Sequence, residues 1–200
     1  EMKERITNQI GDLSSGLKWL GTFHSVGAQI LRFHPNKVGL ENDFIILDTD
    51  DQVRLLKQII KDENIDDKRW PAKQLLNLID KWKNKGLYPE SVSTKDDDYF
   101  ANGKGHLLYK IYQERLKYFN AVDFGDLILE AIRLFENNPD ILESYQSRFK
   151  YILVDEYQDT NFIQSKWLNI LAKKNQNICC VGDDDQSIYS WRGAEIKNFL

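Results

Sequence analysis

The sequence predicts an α/β fold: a parallel sheet carrying a mainly helical inserted subdomain. Two observations lead there. Tyr151–Val154 and Ile178–Val181 are short, apolar, β-favouring runs. Between them Phe162–Lys174 is amphipathic, with Ile163, Trp167, Ile170 and Leu171 on one side. A strand, a helix and a strand within roughly thirty residues form a βαβ unit, which requires parallel neighbouring strands. The second observation is the mainly helical signal from about Asn36 to Asn120, lying between two segments of different character.

Taken in order, Glu1–Ile6 reads as the end of a helix, because no capping residue precedes it. Leu17–Phe23 is a short apolar stretch predicted to be a strand, ending in Gly21-Thr22-Phe23-His24-Ser25. Ser25 is expected to cap a helix that places Val26, Ile30 and Phe33 on one face and stops at Pro35. Thr49 or Asp50 can cap the next helix, in which Val53, Leu56, Ile59 and Ile60 follow helical spacing. Pro71 suits a helix first turn, and Leu75, Leu76, Ile79 and Trp82 then line one face until Gly86. His106–Phe119 groups Leu108, Ile111, Tyr112 and Phe119. Asp126–Phe135 and Pro139–Phe149 are the last helices before Tyr151–Val154, a continuously apolar strand of the kind covered on both faces.

Composition removes several classes of function. With 42% hydrophobic and 29% charged residues the chain is neither disordered nor fibrous. A net charge of −4 excludes a polybasic protein, so any nucleic-acid contact comes from a local surface. That charge divides unevenly: residues 1–35 carry +1, residues 36–120 carry 0 and residues 121–200 carry −5. No apolar run approaches the length of a membrane span, and EMKERITNQI has no signal-peptide core. Cys179 and Cys180 are adjacent, which prevents them from joining distant segments. Set in Ile178-Cys179-Cys180-Val181, they are expected to be free core thiols of a cytoplasmic protein. His24, His34 and His106 lack zinc-site spacing.

Ligands of open parallel sheets bind at the C-terminal ends of the strands. The first strand runs into Asp155-Glu156-Tyr157-Gln158-Asp159. One carboxylate there can hold Mg²⁺, a hard ion that prefers oxygen, and a second can deprotonate a water attacking a γ-phosphate. Asp155, nearer the strand, suits the metal, and Glu156 suits the base. The plainer alternative is a pair of acids favouring the N-terminus of the following helix. The second strand runs into Gly182-Asp183-Asp184-Asp185-Gln186-Ser187-Ile188-Tyr189-Ser190-Trp191-Arg192. Tyr189 and Trp191 beside Arg192 can form a sequence-tolerant platform for single-stranded bases. Their alternative is a place in the core, which the polar residues around them argue against.

Val154–Asn161 (VDEYQDTN) and Val181–Ala194 (VGDDDQSIYSWRGA) resemble motifs II and III of superfamily 1 DNA helicases, nearest the UvrD/PcrA/Rep group. Gly21–Ser25 (GTFHS), Val122–Ile128 (VDFGDLI) and Glu1–Ile6 resemble further elements of that group, in the same order. The resemblance spans essentially the whole chain. It implies a partial RecA-like P-loop NTPase core with a helical insertion, divided as residues 1–38, 39–119 and 120–200. It implies ATP and Mg²⁺ as cofactors, with Asp155 on the metal, Glu156 as catalytic base and Gln158 placing the attacking water or the γ-phosphate. Gln186 would report the nucleotide state to the DNA site. Thr22, His24 and Ser25 would line the single-stranded backbone, Tyr189 and Trp191 would stack on bases, and Arg192 would lie beside them at the strand or the nucleotide cleft. His24 in isolation would more often be a capping or core histidine.

The implied activity is ATP-driven, 3′-to-5′ DNA unwinding in repair or replication, on single-stranded DNA and at a duplex junction. A Walker A loop is absent from these residues, as is everything after motif III, so the 200-residue chain alone is expected to lack ATPase activity. Its partners would include the rest of the helicase chain, with the Walker A segment and a second RecA-like domain, and no membrane. Gly125 stands where the group often has Asp. One alternative is the helicase subunit of a recombination nuclease, which Asp183–Gln186 argues against. The other is a non-catalytic DNA-binding or interaction module. Residues 68–85 bear on it: Lys68, Arg69, Lys73, Lys81, Lys83 and Lys85 face one acid, Asp80, with Trp70 and Trp82 interleaved. This stretch either tracks duplex phosphates or is a solvated helix face with its tryptophans packed inward.

Overall fold

The computed structural model describes residues 2–11, 18–93, 99–183 and 185. Helix α1 spans Met2–Ile10, running past the expected end at Ile6. Residues 18–22 form turns and a bend rather than the expected strand, and helix α2 (Phe23–Phe33) opens inside the GTFHS run. The reason is Thr22, whose hydroxyl accepts the Ser25 N–H at 3.2 Å and serves as the N-cap expected of Ser25. Ser25 answers by donating its own hydroxyl to the Thr22 carbonyl at 2.8 Å. Trp19, thus freed from a strand, packs its ring against Phe149 and Tyr145. Ile30 and Leu31 carry the buried face of α2, while Phe33 is exposed.

A two-residue strand β1 (Ile45–Ile46) follows, then α3 (Thr49–Asp62), capped by Asp48 rather than Thr49 or Asp50. Helix α4 (Ala72–Asn84) has Pro71 at its N-cap, and α5 (Gly105–Tyr118) follows it. Strand β2 (Ala121–Val122) pairs in parallel with β1, Ile45 against Ala121 and Ile46 against Val122. Helices α6 (Phe124–Asn137) and α7 (Pro139–Arg148) lead to β3 (Ile152–Val154), α8 (Phe162–Ala172) and β4 (Ile178–Cys180). β3 and β4 are parallel, with Ile152 against Ile178 and Val154 against Cys180, as the βαβ reading requires. The described residues therefore hold two small parallel sheets within a mixed helix–strand fold, and no helix among them is long and apolar enough to cross a membrane.

Neither β3 nor β4 is covered on both faces, contrary to expectation. Leu153 is 81% exposed, and both Cys179 and Cys180 are exposed free thiols rather than core residues. Among the described residues no element packs over Leu153, so its side of the short pair stays open.

Two apolar cores organise the rest. One joins α2, α6, α7 and α8 through Ile30, Leu127, Phe135, Tyr145 and Trp167. The other joins α3, α4 and α5 through Leu56, Leu75, Trp82, Leu108 and Tyr112. β2 is the seam, because Ala121 belongs to the second core and Val122 to the first. Trp82 and Lys83 are both buried, which takes them out of the basic surface stripe read in residues 68–85. Lys68, Arg69, Lys73, Lys81 and Lys85 remain exposed.

Lys83 crosses from the second core to the first. Its Nζ donates to Asp123 Oδ2 and Asp126 Oδ1, each at 2.6 Å, and to Gln113 Oε1 at 2.9 Å. Burial opposes the Lys83 charge, but the two carboxylates outweigh it and hold its pKa above the ordinary value. Nearby, burial pushes the Asp80 carboxyl up to about 6, with Asp123 adding to the shift and Lys83 opposing it. A carboxyl raised in the folded state binds protons more tightly there than in the unfolded chain, so its contribution to stability falls as pH rises from about 4 to about 6. Asp80→Asn is expected to stabilise the protein by about 1–3 kcal/mol at pH 8 and to change little at pH 4. Urea unfolding at the two pH values checks this, and equal effects at both would contradict it.

Candidate nucleotide and DNA site

Two groups of predicted residues lie in separate places. The first occupies the exits of β3 and β4. The Val181 N–H donates to the Val154 carbonyl at 2.8 Å, and the Tyr157 N–H donates back to the Val181 carbonyl at 2.9 Å. These bonds carry the parallel pairing past the strands and draw the two acidic loops together. Asp155 is exposed, and its Oδ1 accepts the Glu156 N–H at 3.0 Å. Glu156 takes a left-handed conformation at φ +52°, uncommon for a residue with a side chain, before the tight turn Tyr157–Asp159. That turn is closed by Thr160, whose hydroxyl donates to the Tyr157 carbonyl at 2.7 Å. Asn161 and Gln164 then form a capping box that starts α8.

Gln158 is the buried member, only 4% exposed. Its Nε2 donates to Glu156 Oε2 at 2.6 Å, and its Oε1 accepts the Asp183 N–H at 3.0 Å. One amide therefore ties the carboxylate after β3 to the backbone after β4. Because both its ends are occupied, Gln158 governs where Glu156 points.

Exposed Asp155, Glu156, Asp183 and Asp185 give this end of the sheet its acidity. Among the described residues no cluster of three or more His, Cys, Asp and Glu could cage a metal. An exposed carboxylate at a strand end nevertheless suits Mg²⁺, which takes one or two carboxylates and completes its shell with phosphates and water. Asp155 fits an ion delivered with a nucleotide. Gln186, Tyr189, Trp191 and Arg192 lie outside the described residues.

The second group surrounds the start of α2. Thr22 and Ser25 are exposed at its first turn, and His24 is half-buried. Burial holds the His24 imidazole below its ordinary pKa, so at neutral pH it is an uncharged ring. Phe124, the first residue of α6, stands edge-on to His24 with ring centroids 5.8 Å apart and is 52% exposed. The two helix starts meet because α2 and α6 pack closely at Gly27, where a Cβ would lie 2.4 Å from the Leu127 carbonyl oxygen. Thr22, Ser25 and Phe124 are exposed around half-buried His24, forming one strip of hydroxyls and rings.

Phe124, Asp123 and Asp126 were not among the candidates derived from sequence, and Lys83 was read only as one of the surface bases of residues 68–85. A signal existed for Lys83: it follows Leu76 and Ile79 at helical spacing and so falls on the apolar face of α4. Phe124 carried no such signal, because the sequence pattern starts this helix at Asp126 rather than at Phe124.

The family profile of the UvrD/REP helicase N-terminal domain matches residues 1–200. The chain is 47% identical over 203 residues to a probable DNA helicase II homolog of Rickettsia felis, covering all of this chain and 30% of that protein. It is 46% identical to a protein named DNA helicase II in Rickettsia typhi, with the same coverage. Against the ATP-dependent DNA helicase PcrA of Staphylococcus aureus the identity is 43% over 200 residues, covering all of this chain and 27% of that protein. The chain therefore spans less than a third of the length of these relatives. With the acidic loops after β3 and β4 and the strip at α2 and α6, these matches lead to one assignment: the chain belongs to the UvrD/REP helicase family, matching its N-terminal domain throughout.

Proposed function

We propose that this chain is the part of an ATP-driven DNA helicase that holds single-stranded DNA and supplies half of the nucleotide-hydrolysing site. Asp155 holds Mg²⁺ arriving with ATP, and Glu156 takes the proton from the attacking water. Gln158 sets the position of Glu156, and Gln186 senses the γ-phosphate. Thr22, His24, Ser25 and Phe124 line the strand, while Tyr189 and Trp191 stack on bases with Arg192 beside them at the strand or the nucleotide cleft. Residues 1–38 and 120–200 form a RecA-like body built mainly on the first core, to which Leu40 and Phe44 also contribute, with residues 39–119 as its insertion built on the second. The observation that carries this reading is the Gln158 bridge, which joins a catalytic-type carboxylate at one strand exit to the loop at the next.

The longer protein provides what these 200 residues lack, a Gly-rich phosphate loop and a second RecA-like domain. Translocation runs 3′ to 5′ toward a duplex junction. The test is strand separation by the full-length protein on duplexes bearing a single 3′ or 5′ tail. ATP-dependent unwinding from the 3′ tail is expected. Unwinding from the 5′ tail alone, or none, would refute the assignment.

A further inference from the structure

The capping box at the start of α6 leaves one oxygen of each carboxylate unused. Asp123 Oδ1 accepts the Asp126 N–H at 2.9 Å, and Asp126 Oδ2 accepts the Asp123 N–H at 3.3 Å. Both remaining oxygens turn to Lys83 Nζ, which reaches them from α4 in the insertion. Tyr112 donates to Asp123 Oδ2 at 3.0 Å, and Gln113 donates to Asp126 Oδ1 at 3.0 Å, both from α5. Asp123 and Asp126 are almost completely buried. Two buried carboxylates this close repel each other unless a cation joins them.

Phe124 and Gly125 are the two residues between the clamped aspartates. A Cβ on Gly125 would lie 2.7 Å from Lys83 Cδ, so the lysine stem crosses the turn in contact with its backbone. The neighbouring Asn84 accepts a 2.9 Å bond from Asn161, the N-cap of α8. The end of α4 is therefore seated against both helices that open beside the proposed sites.

We propose that Lys83 is a positioning residue for the single-stranded DNA path: reaching in from the insertion, it holds both carboxylates of the α6 capping box and so fixes Phe124 against His24. This rests on the DNA-binding reading of Thr22, His24, Ser25 and Phe124. It makes the helical insertion a part of the DNA site without requiring that the insertion touch the strand there.

The test uses the full-length protein and an oligothymidylate, following ATP hydrolysis as DNA is added. Lys83→Met is expected to raise the DNA concentration for half-maximal stimulation by about tenfold, as losing one well-placed stacking partner does. Turnover at saturating DNA should stay within about twofold, a split that generalised loss of fold does not produce. Because Met leaves two buried acids opposed, a second variant combines Lys83→Met with Asp123→Asn and Asp126→Asn, which keeps capping oxygens and removes the charge. It is expected to melt close to wild type and still to bind DNA about tenfold more weakly. Wild-type DNA affinity in either folded variant would overturn the proposal. Amide hydrogen exchange in the first turn of α6 gives a readout independent of activity. If the wild-type protein hydrolyses no ATP in response to DNA, the functional reading fails, while faster exchange at Asp126 in the variants still supports the clamp and unchanged exchange refutes it.

Discussion

Glu156→Gln in the full-length protein is expected to lower ATP hydrolysis by about 10²–10⁴-fold while nucleotide binding stays within a few-fold, the range for losing a general base. The geometry isolates that effect. Glutamine keeps an oxygen that can accept the 2.6 Å bond from Gln158, so the turn at φ +52° and the bridge to Asp183 persist. What disappears is the ability to take a proton. Gln158→Ala should behave differently, costing about tenfold, because it frees Glu156 without removing it. Single-turnover hydrolysis, alongside titration with a fluorescent nucleotide, separates the two. Hydrolysis within about threefold of wild type in Glu156→Gln would remove the residue from the base role.

Trp82→Ala is expected to destabilise the core of α3, α4 and α5 by about 3–5 kcal/mol, as deleting a fully buried tryptophan usually does. Trp82 has no exposed surface and stacks on Tyr109 with ring centroids 5.9 Å apart and planes 26° from parallel. Leu75, Leu76 and Ile79 from the same helix fill the same core, so little is free to move into the cavity. Trp70, half-buried against Phe100 at 5.4 Å, should cost less when truncated. Urea unfolding followed by far-ultraviolet circular dichroism provides the measurement. A loss below about 1 kcal/mol would contradict the core placement.

Those two residues mark what the sequence made legible. The βαβ unit was visible because Ile152–Val154 and Ile178–Cys180 are apolar and flank an amphipathic helix, and their acidic exits followed from strand direction. Helices α3 to α8 were visible from apolar spacing, although Asp48 rather than Thr49 or Asp50 supplies a cap. The β1–β2 pairing was invisible, since two-residue strands separated by three helices have no periodicity to detect. The strand expected at Leu17–Phe23 failed because the Thr22 hydroxyl starts a helix inside that apolar run. Twofold burial of β3 and β4 failed because apolar composition reports what a strand can be packed against, not how many neighbours it has. Lys83 was misplaced by its charge: counted with the exposed lysines around it, it is buried by its position on the helix and by partners some forty residues away.

The acidity found at the end of the chain also acquires a location. Asp155, Glu156, Asp183 and Asp185 are exposed together at the strand exits, whereas Asp123 and Asp126 are buried and share the single positive charge of Lys83. The first set can meet a metal–nucleotide complex, and the second holds the fold beside the proposed DNA path. The exposed bases of residues 68–85 lie on α4 and just to either side of it, away from both sets of acids in sequence.

Steady-state ATP hydrolysis, measured with and without single-stranded DNA for the full-length protein and for the isolated 200-residue chain, tests the central claim most directly. DNA-stimulated turnover is expected of the full-length protein and none of the isolated chain, which holds Asp155 and Glu156 without a phosphate-cradling loop. Robust turnover by the isolated chain, or a full-length protein indifferent to DNA, would contradict it.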